Sequence, residues 1–293
     1  VKIRMQCDGM LSALERHLKL EGDELVERGE EAELIVRERG HGALEGPGLV
    51  VGSDVEITHP ALLRALGFPY RGSDSTYALT KYWHGEWHPS TLFSVGAVGV
   101  MDDGMGAQVP TGIVGRFVSG GDIDRLFERK ELEALLRRES FTGPVTLGMH
   151  DGFVSAVNLR LNPVIFALGE CREGKLSELL RTGGPIGEKW VIAAVVSRWP
   201  WPAREAEGRA ELLGLESEEH FWGFRLNCFR DSRWTTESIL GIATAKGEKL
   251  SDANARLWSL VRTIGVAEKQ VRRDWVQIGG SAWRRARESL IVS

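Results

Sequence analysis

The apolar positions of this chain follow two periods in turn. From Val1 to about Tyr70, β-rich runs at Val1-Lys2-Ile3-Arg4-Met5, Leu34-Ile35-Val36 and Leu49-Val50-Val51 alternate with helical spacing, as in Leu11, Leu14, Leu18 and Leu20. That alternation predicts a small parallel sheet. Pro60 opens a predicted helix in which Ala61, Leu62, Ala65 and Leu66 run to a stop at Gly67. Ligands of open α/β sheets sit beyond the carboxyl ends of the strands, so the Cys7-Asp8-Gly9 and Gly52-Ser53-Asp54 turns are the natural lip of a pocket.

Farther along, Gly72-Ser73-Asp74-Ser75 leads into a short predicted helix ending near Trp83, then an apolar strand over 92–100. Residues 122–138 carry the clearest helical pattern, with Ile123, Leu126, Phe127, Leu132 and Leu135 on one face among charges. Strands over 142–149 and 153–161 flank His150-Asp151-Gly152, a hairpin signature. The tail gives strands over 190–196, 221–229 and 238–244 and an amphipathic helix over 252–264. The expected division is an N-terminal α/β domain (1–72), a middle core (73–185) and a C-terminal α+β domain (186–293).

Composition narrows the function classes. With 293 residues and 42% hydrophobic content the chain can bury a core of its own. A net charge of −4 gives no global attraction to nucleic acid or anionic membranes, so any anion site is local. Cys7, Cys171 and Cys228 form no C-x-x-C pair, which argues against a disulfide framework or a cysteine zinc site and fits a reducing cytoplasm. No apolar run is long enough to span a bilayer, and no signal peptide is evident at the start of the sequence; a cytoplasmic location without membrane contact is expected.

The candidate chemistry centres on Asn158 and Arg160. Standing two apart, they share one strand face. An arginine binds phosphate or carboxylate bidentately, and the backbone N–H groups of the Asp103-Gly104-Met105-Gly106-Ala107 loop offer the same from another side. The bland alternative is an ordinary ion pair at Arg160 and a tight turn at the glycines. Ser53 and His59-Pro60 suit either an anion at a helix start or simple capping. His84 and His88 stand four apart, but Gly85 and Pro89 oppose a helix there, and a solvent-exposed turn is expected rather than a metal site. His150-Asp151 reads as a turn pair, and Cys7 beside Asp8 as a poor nucleophile. Near the end, Arg262, Lys269, Arg272, Arg273, Arg284, Arg285 and Arg287 outnumber the neighbouring acids around Trp275 and Trp283. Nucleic-acid contact is one reading of that tail. A solvated basic surface whose tryptophans pack inward is favoured, and Trp199 and Trp201 are expected to pack a domain junction.

In order and context several of these pieces resemble phosphoribosylamine–glycine ligase, of the ATP-grasp superfamily. They are Leu49-Val50-Val51-Gly52-Ser53-Asp54 with the stretch 60–72, the glycine loop at 103–107, the pair of strands over 148–163, Trp190-Val191-Ile192-Ala193-Ala194-Val195-Val196, and Arg272-Arg273-Asp274. The resemblance implies a pre-ATP-grasp-like N-terminal domain, a reduced ATP-grasp-like core, and an acceptor pocket lined by Gly52, Ser53, Asp54, Gly104, Met105 and Gly106, with Asn158 and Arg160 at the acyl phosphate. It also marks departures. The family's nucleotide lobe belongs between Ser75 and the glycine loop, yet Gly104 stands only 29 positions beyond Ser75 (104 − 75), against the ~50 residues a domain generally needs. Ala156 occupies the position of the family's metal-binding glutamate, and Asn162 that of an aspartate. Magnesium is held largely through carboxylates and substrate phosphates, so no metal and no bound cofactor are expected.

Three readings follow. In the first, the chain binds a phosphorylated sugar or nucleotide and joins an amine to a partner activated elsewhere, in nucleotide metabolism or modification. In the second it remains an ATP- and magnesium-dependent ligase with a rearranged or partner-supplied nucleotide site. In the third it is a catalytically inactive ligand-binding or assembly protein.

Overall fold

Ile3, Leu34 and Val36 are buried, as are Ala13, Leu14 and Leu18 at helical spacing between them. This pattern folds the first segment as a sheet with a helix on its face. In the computed structural model, β1 (Lys2–Gln6), α1 (Ser12–Leu20), β2 (Glu24–Leu25), β3 (Leu34–Glu38) and β4 (Gly48–Val51) form that unit. Its strands are parallel in the order β2-β1-β3-β4, as the sequence predicts. The structure describes residues 1–6, 12–27, 29–38, 48–51, 55–57, 76–94, 101–102, 108–109, 111–119, 123–138, 140–159, 162–215, 219–229 and 232–291. The predicted helix after Pro60 lies outside them.

The next elements are β5 (Val55–Ile57), β6 (Tyr77–Trp83), β7 (Trp87–Ser94), β8 (Met101–Asp102), β9 (Gln108–Val109), β10 (Gly112–Ser119), α2 (Asp124–Phe127) and α3 (Lys130–Arg138). Then come β11 (Gly143–His150), β12 (Phe153–Leu159), α4 (Asn162–Cys171), α5 (Leu176–Thr182), β13 (Trp190–Arg198), β14 (Ala210–Leu212), β15 (Phe221–Gly223), β16 (Asn227–Phe229) and β17 (Ser232–Thr235). The chain closes with β18 (Ile239–Gly247), α6 (Leu250–Thr263), β19 (Lys269–Gln270) and α7 (Trp275–Ile291). A ten-stranded sheet in the order β15-β18-β13-β10-β7-β6-β11-β12-β5, with β19 also on β13, carries the core. It draws strands from all three sequence segments.

β13 shows why this sheet is covered on both sides. Trp190, Ile192, Ala194 and Val196 belong to one apolar cluster, with residues of α2, α3, α6 and α7. Val191, Ala193 and Val195 belong to the other, with α1, α4 and α5. Alternate side chains of a strand face opposite ways, so the unbroken apolar run is what a strand buried on both faces requires. At roughly 25 cal/mol per Å² of apolar surface, such burial is the main force holding the three layers together.

Four predicted elements differ. The helix expected to end near Trp83 is β6, whose seven residues are all buried between β7 and β11; a helix there would have needed a solvated face, and Lys81 instead pairs with Asp124. The single helix over 122–138 is two, parted at Glu128 (φ −75°, ψ 53°), so that Phe127 and the pair Leu132 and Leu136 all enter the same core. The strand over 221–229 breaks at Arg225 (φ 40°) into β15, which joins the large sheet, and β16, which joins a three-stranded one. The expected strand over 92–100 begins earlier, at Trp87, and residues 95–100 lie outside the described set. Asp151 and Gly152 both take positive φ between β11 and β12, as a two-residue hairpin turn demands. No helix among the described residues is long and apolar enough to cross a membrane.

Candidate functional site: an arginine cleft at a sheet end

Of the residues singled out in the sequence, Gly52, Ser53, Asp54, Gly104, Met105, Gly106 and Arg160 lie outside the described residues. The backbone of Asn158 is described: it sits on β12, in register with Thr146 on β11 and Glu56 on β5. Thr146 in turn pairs with Thr80, their hydroxyls 2.8 Å apart. Asn158 therefore stands in a polar row that crosses four strands. Glu56 was not among the residues singled out, because nothing in a linear sequence shows which strand pairs with β12.

The chain leaving the glycine loop leads into the site that is best defined. β10 starts at Gly112, opposite Ala194 of β13, and β19 takes over the same edge of β13 at Ser197 and Arg198. Between them a cleft of about 580 Å³ opens, lined by Thr111, Ser197, Trp201 and the run Lys269 to Asp274. Its size falls within the range of small-molecule sites.

Each wall has a physical origin. Gly112 has φ +137°, and a Cβ there would lie 2.4 Å from the Ala193 carbonyl oxygen and 2.7 Å from Cη2 of Trp275. Glycine thus lets the buried Trp275 indole pack against the sheet, and that anchor fixes where α7 begins. Immediately before it, Arg272 donates from Nε and Nη2 to the two carboxylate oxygens of Asp274, at 2.5 and 2.9 Å. The guanidinium holds the Asp274 carboxyl below its ordinary range. The bidentate pair fixes the arginine's plane and leaves Nη1 for a ligand. Arg273 is exposed beside it. Lys269 plays another part: its ammonium donates to the carbonyls of Val261 and Ile264 at the end of α6, and burial lowers its pKa. The Thr111 hydroxyl, in a residue only 7% exposed, has no hydrogen-bond partner among the described residues. A buried unpaired hydroxyl costs about 1–3 kcal/mol, which a ligand oxygen in the cleft would offset. Two guanidiniums, one pinned, and an unpaired hydroxyl have the chemistry to hydrogen-bond an oxyanion.

The other candidates fall elsewhere. His84 opens the turn between β6 and β7, donating its N–H to the Glu86 carbonyl at 2.9 Å, while His88 lies on β7. His150 and Asp151 contact each other at 3.2 Å at the β11–β12 hairpin. Trp275 is fully buried, and Trp283 packs edge-on against Trp190 at 5.2 Å. Of the pair expected at a domain junction, Trp201 is buried but Trp199 is 58% exposed: its neighbours in the turn after β13 leave its indole in solvent.

No family model matches the chain, and no curated protein matches it in sequence. Solved structures do. Phosphoribosylamine–glycine ligase from Thermotoga maritima superposes with a TM-score of 0.59 at 14% identity, over 94% of this chain and 100% of that one. The biotin carboxylase subunit of pyruvate carboxylase gives 0.50 at 8% identity, over 99% and 98%. Phosphoribosylglycinamide synthetase from Anaerococcus prevotii gives 0.48 at 7%, over 90% and 98%. The class defined by the sheets and by the Thermotoga structure is an α/β fold with a small parallel N-terminal sheet and a large antiparallel core sheet. Within that class, the chain is similar along nearly its whole length to the Thermotoga ligase; at this identity the similarity is one of fold.

Whether the residues present suit the magnesium of such ligases is tested at β12. Ala156 is buried there opposite Gly148, beside a bulge, and brings no oxygen donor. No group of three His, Cys, Asp or Glu among the described residues is placed to hold a metal ion. Among its described residues, β12 (Phe153–Leu159) carries no carboxylate.

Proposed function

We propose that the protein binds a phosphorylated sugar or nucleotide on an ATP-grasp-type scaffold without a nucleotide lobe, and joins an amine to a partner activated elsewhere. The observation that carries this reading is the cleft lined by Arg272, pinned by Asp274, by Arg273, whose guanidinium lies 6.0 Å from the Trp258 ring centroid, and by Thr111 just before β10. The arginines take the phosphoryl group and the Thr111 hydroxyl an ester oxygen. Asn158 on β12 stands four strand spacings from β10, roughly 19 Å across the sheet, so the activated acyl group is taken at the arginine cleft itself and Asn158 is not part of that pocket. The amine nitrogen attacks the acyl carbon of an acyl phosphate; the C–N bond forms as the C–O bond to phosphate breaks, and the amine gives up a proton. Holding both partners in line supplies most of the acceleration. The interval where a nucleotide lobe would be inserted holds the β6–β7 hairpin, which supports a chemistry that consumes no ATP.

The test is turnover of a supplied acyl phosphate with an amine-bearing phosphoribosyl compound, in the absence of ATP and magnesium, alongside calorimetry with ATP. Amide formation without ATP, abolished by Arg272→Ala, is expected. Tight magnesium-dependent ATP binding supports the ATP-dependent ligase instead, and failure to bind any phosphorylated compound supports an assembly role.

A further inference from the structure

A second cleft, of about 880 Å³, opens where the C-terminal ends of α1 and α4 meet the start of β15, and it shares no lining residue with the arginine cleft. Two imidazoles line it. His17 is 5% exposed and lies flat on the Trp222 indole, ring centroids 3.8 Å apart at 15°. Its Nδ1 is 2.9 Å from the Ala13 carbonyl oxygen. A carbonyl only accepts, so Nδ1 carries the hydrogen and Nε2 of the neutral ring is an acceptor. That Nε2 is buried without a hydrogen-bond partner among the described residues.

His220 is oriented by the same device. Its Nδ1 lies 3.0 Å from Oε2 of Glu170, which also accepts the Thr244 hydroxyl at 2.7 Å. The Thr244 oxygen accepts Nε1–H of Trp222 at 3.1 Å. One series of contacts, from His17 through Trp222, Thr244 and Glu170 to His220, therefore fixes both rings. Donation of Nδ1–H to the Glu170 carboxylate raises the His220 pKa, which favours the form whose Nε2 donates. Of the nearby cations, Lys246 is engaged with the Glu170 carbonyl at 2.7 Å and Arg172 with Glu21. These cations offset the Glu219 carboxylate, whose Oε1 lies 3.9 Å from Nε2 of His220 and so leaves that nitrogen's hydrogen bond to a ligand.

We propose that this cleft is a separate ligand site for a small hydroxylated oxyanion, with Nε2 of His17 accepting a ligand hydroxyl and Nε2 of His220 donating to the anionic group. A sugar phosphate and a hydroxy-carboxylate share that chemistry.

The test is a two-bond ¹H–¹⁵N spectrum of the full chain with labelled histidine, titrated in turn with ribose 5-phosphate, citrate and inorganic phosphate. The expected result is that one of the two hydroxylated probes shifts the Nε2 signals of His17 and His220 along one saturable curve. Ribose 5-phosphate alone identifies a phosphoryl ligand, and citrate alone a carboxylate. Inorganic phosphate binds at least about tenfold more weakly, as loss of one hydrogen bond implies. His220→Gln, and His17→Phe, which keeps a ring stacked on Trp222, each weaken binding by about tenfold. Arg272→Ala leaves the shifts unchanged, so the outcome here is independent of the arginine cleft. Absence of saturable shifts at either histidine with all three probes overturns the proposal, as do equal affinity for inorganic phosphate and undiminished binding in both histidine variants.

Discussion

The two clefts fix their charged groups by different means. Arg272 is held by a carboxylate two residues away, so its orientation is a property of a short segment anchored by Trp275. His220 is held by Glu170 from α4, which is itself held by Thr244 from β18, and these meet only when the helical layer has docked on the sheet. A locally pinned group survives small shifts of the scaffold, whereas a group pinned across layers reports on the packing of the whole. Mild loosening of the fold is thus expected to misalign the histidines before the arginines.

The largest effect expected is from Trp222→Ala. It empties a fully buried indole site and removes the surface on which His17 stacks, costing about 3–5 kcal/mol in chemical denaturation. Oxyanion binding in the arginine cleft should persist in whatever fraction stays folded. Gly112→Ala is the converse probe. Its positive φ and the 2.4 Å approach to the Ala193 carbonyl predict a loss of about 3 kcal/mol, with displacement of Trp275 and hence of the arginines. A Gly112→Ala protein of normal stability and phosphate affinity would break the account of how that cleft is built.

Third, Arg272→Ala should weaken phosphate-ester binding by about 10- to 100-fold, the equivalent of one or two charge-assisted hydrogen bonds, while changing stability by less than about 1 kcal/mol. The smallest effects concern pH, and their signs are opposite. Asp274 has a lowered pKa, so its contribution to stability is present above the ordinary carboxyl value and is lost as pH falls through the lowered one. His220 has a raised pKa, so its contribution is present below the ordinary imidazole value and is lost as pH rises through the raised one. Arg272→Ala should remove the acid-side loss alone and Glu170→Gln the alkaline-side loss alone, as read from unfolding midpoints across pH at low salt. Both groups are partly exposed, so added salt should shrink the two effects.

The same contrast between local and distributed structure explains what the sequence disclosed. β13 was legible from its unbroken apolar run, the turn from Asp151-Gly152, and the N-terminal parallel sheet from strands separated by helical spacing. The first two are signals contained within a single short segment, and the third is a repetition of such segments. β6 differs from the helix expected there because Thr80 and Lys81, buried through their pairing with Thr146 and Asp124, interrupt the apolar run that marks β13. Arg272-Arg273-Asp274 stood out as a motif, but the cleft depends on β19 taking over the edge that β10 leaves, a register no linear pattern reveals. The Glu170–His220 pair spans fifty positions and left no local trace.

Calorimetric titration of ribose 5-phosphate into the wild-type chain and into Arg272→Ala, at one fixed ionic strength and without magnesium, tests the central claim most directly. Against the His220→Gln background, which weakens the histidine cleft, saturable binding that falls at least about tenfold with Arg272→Ala is predicted. Binding that is indifferent to Arg272, or that appears only with magnesium, would contradict it.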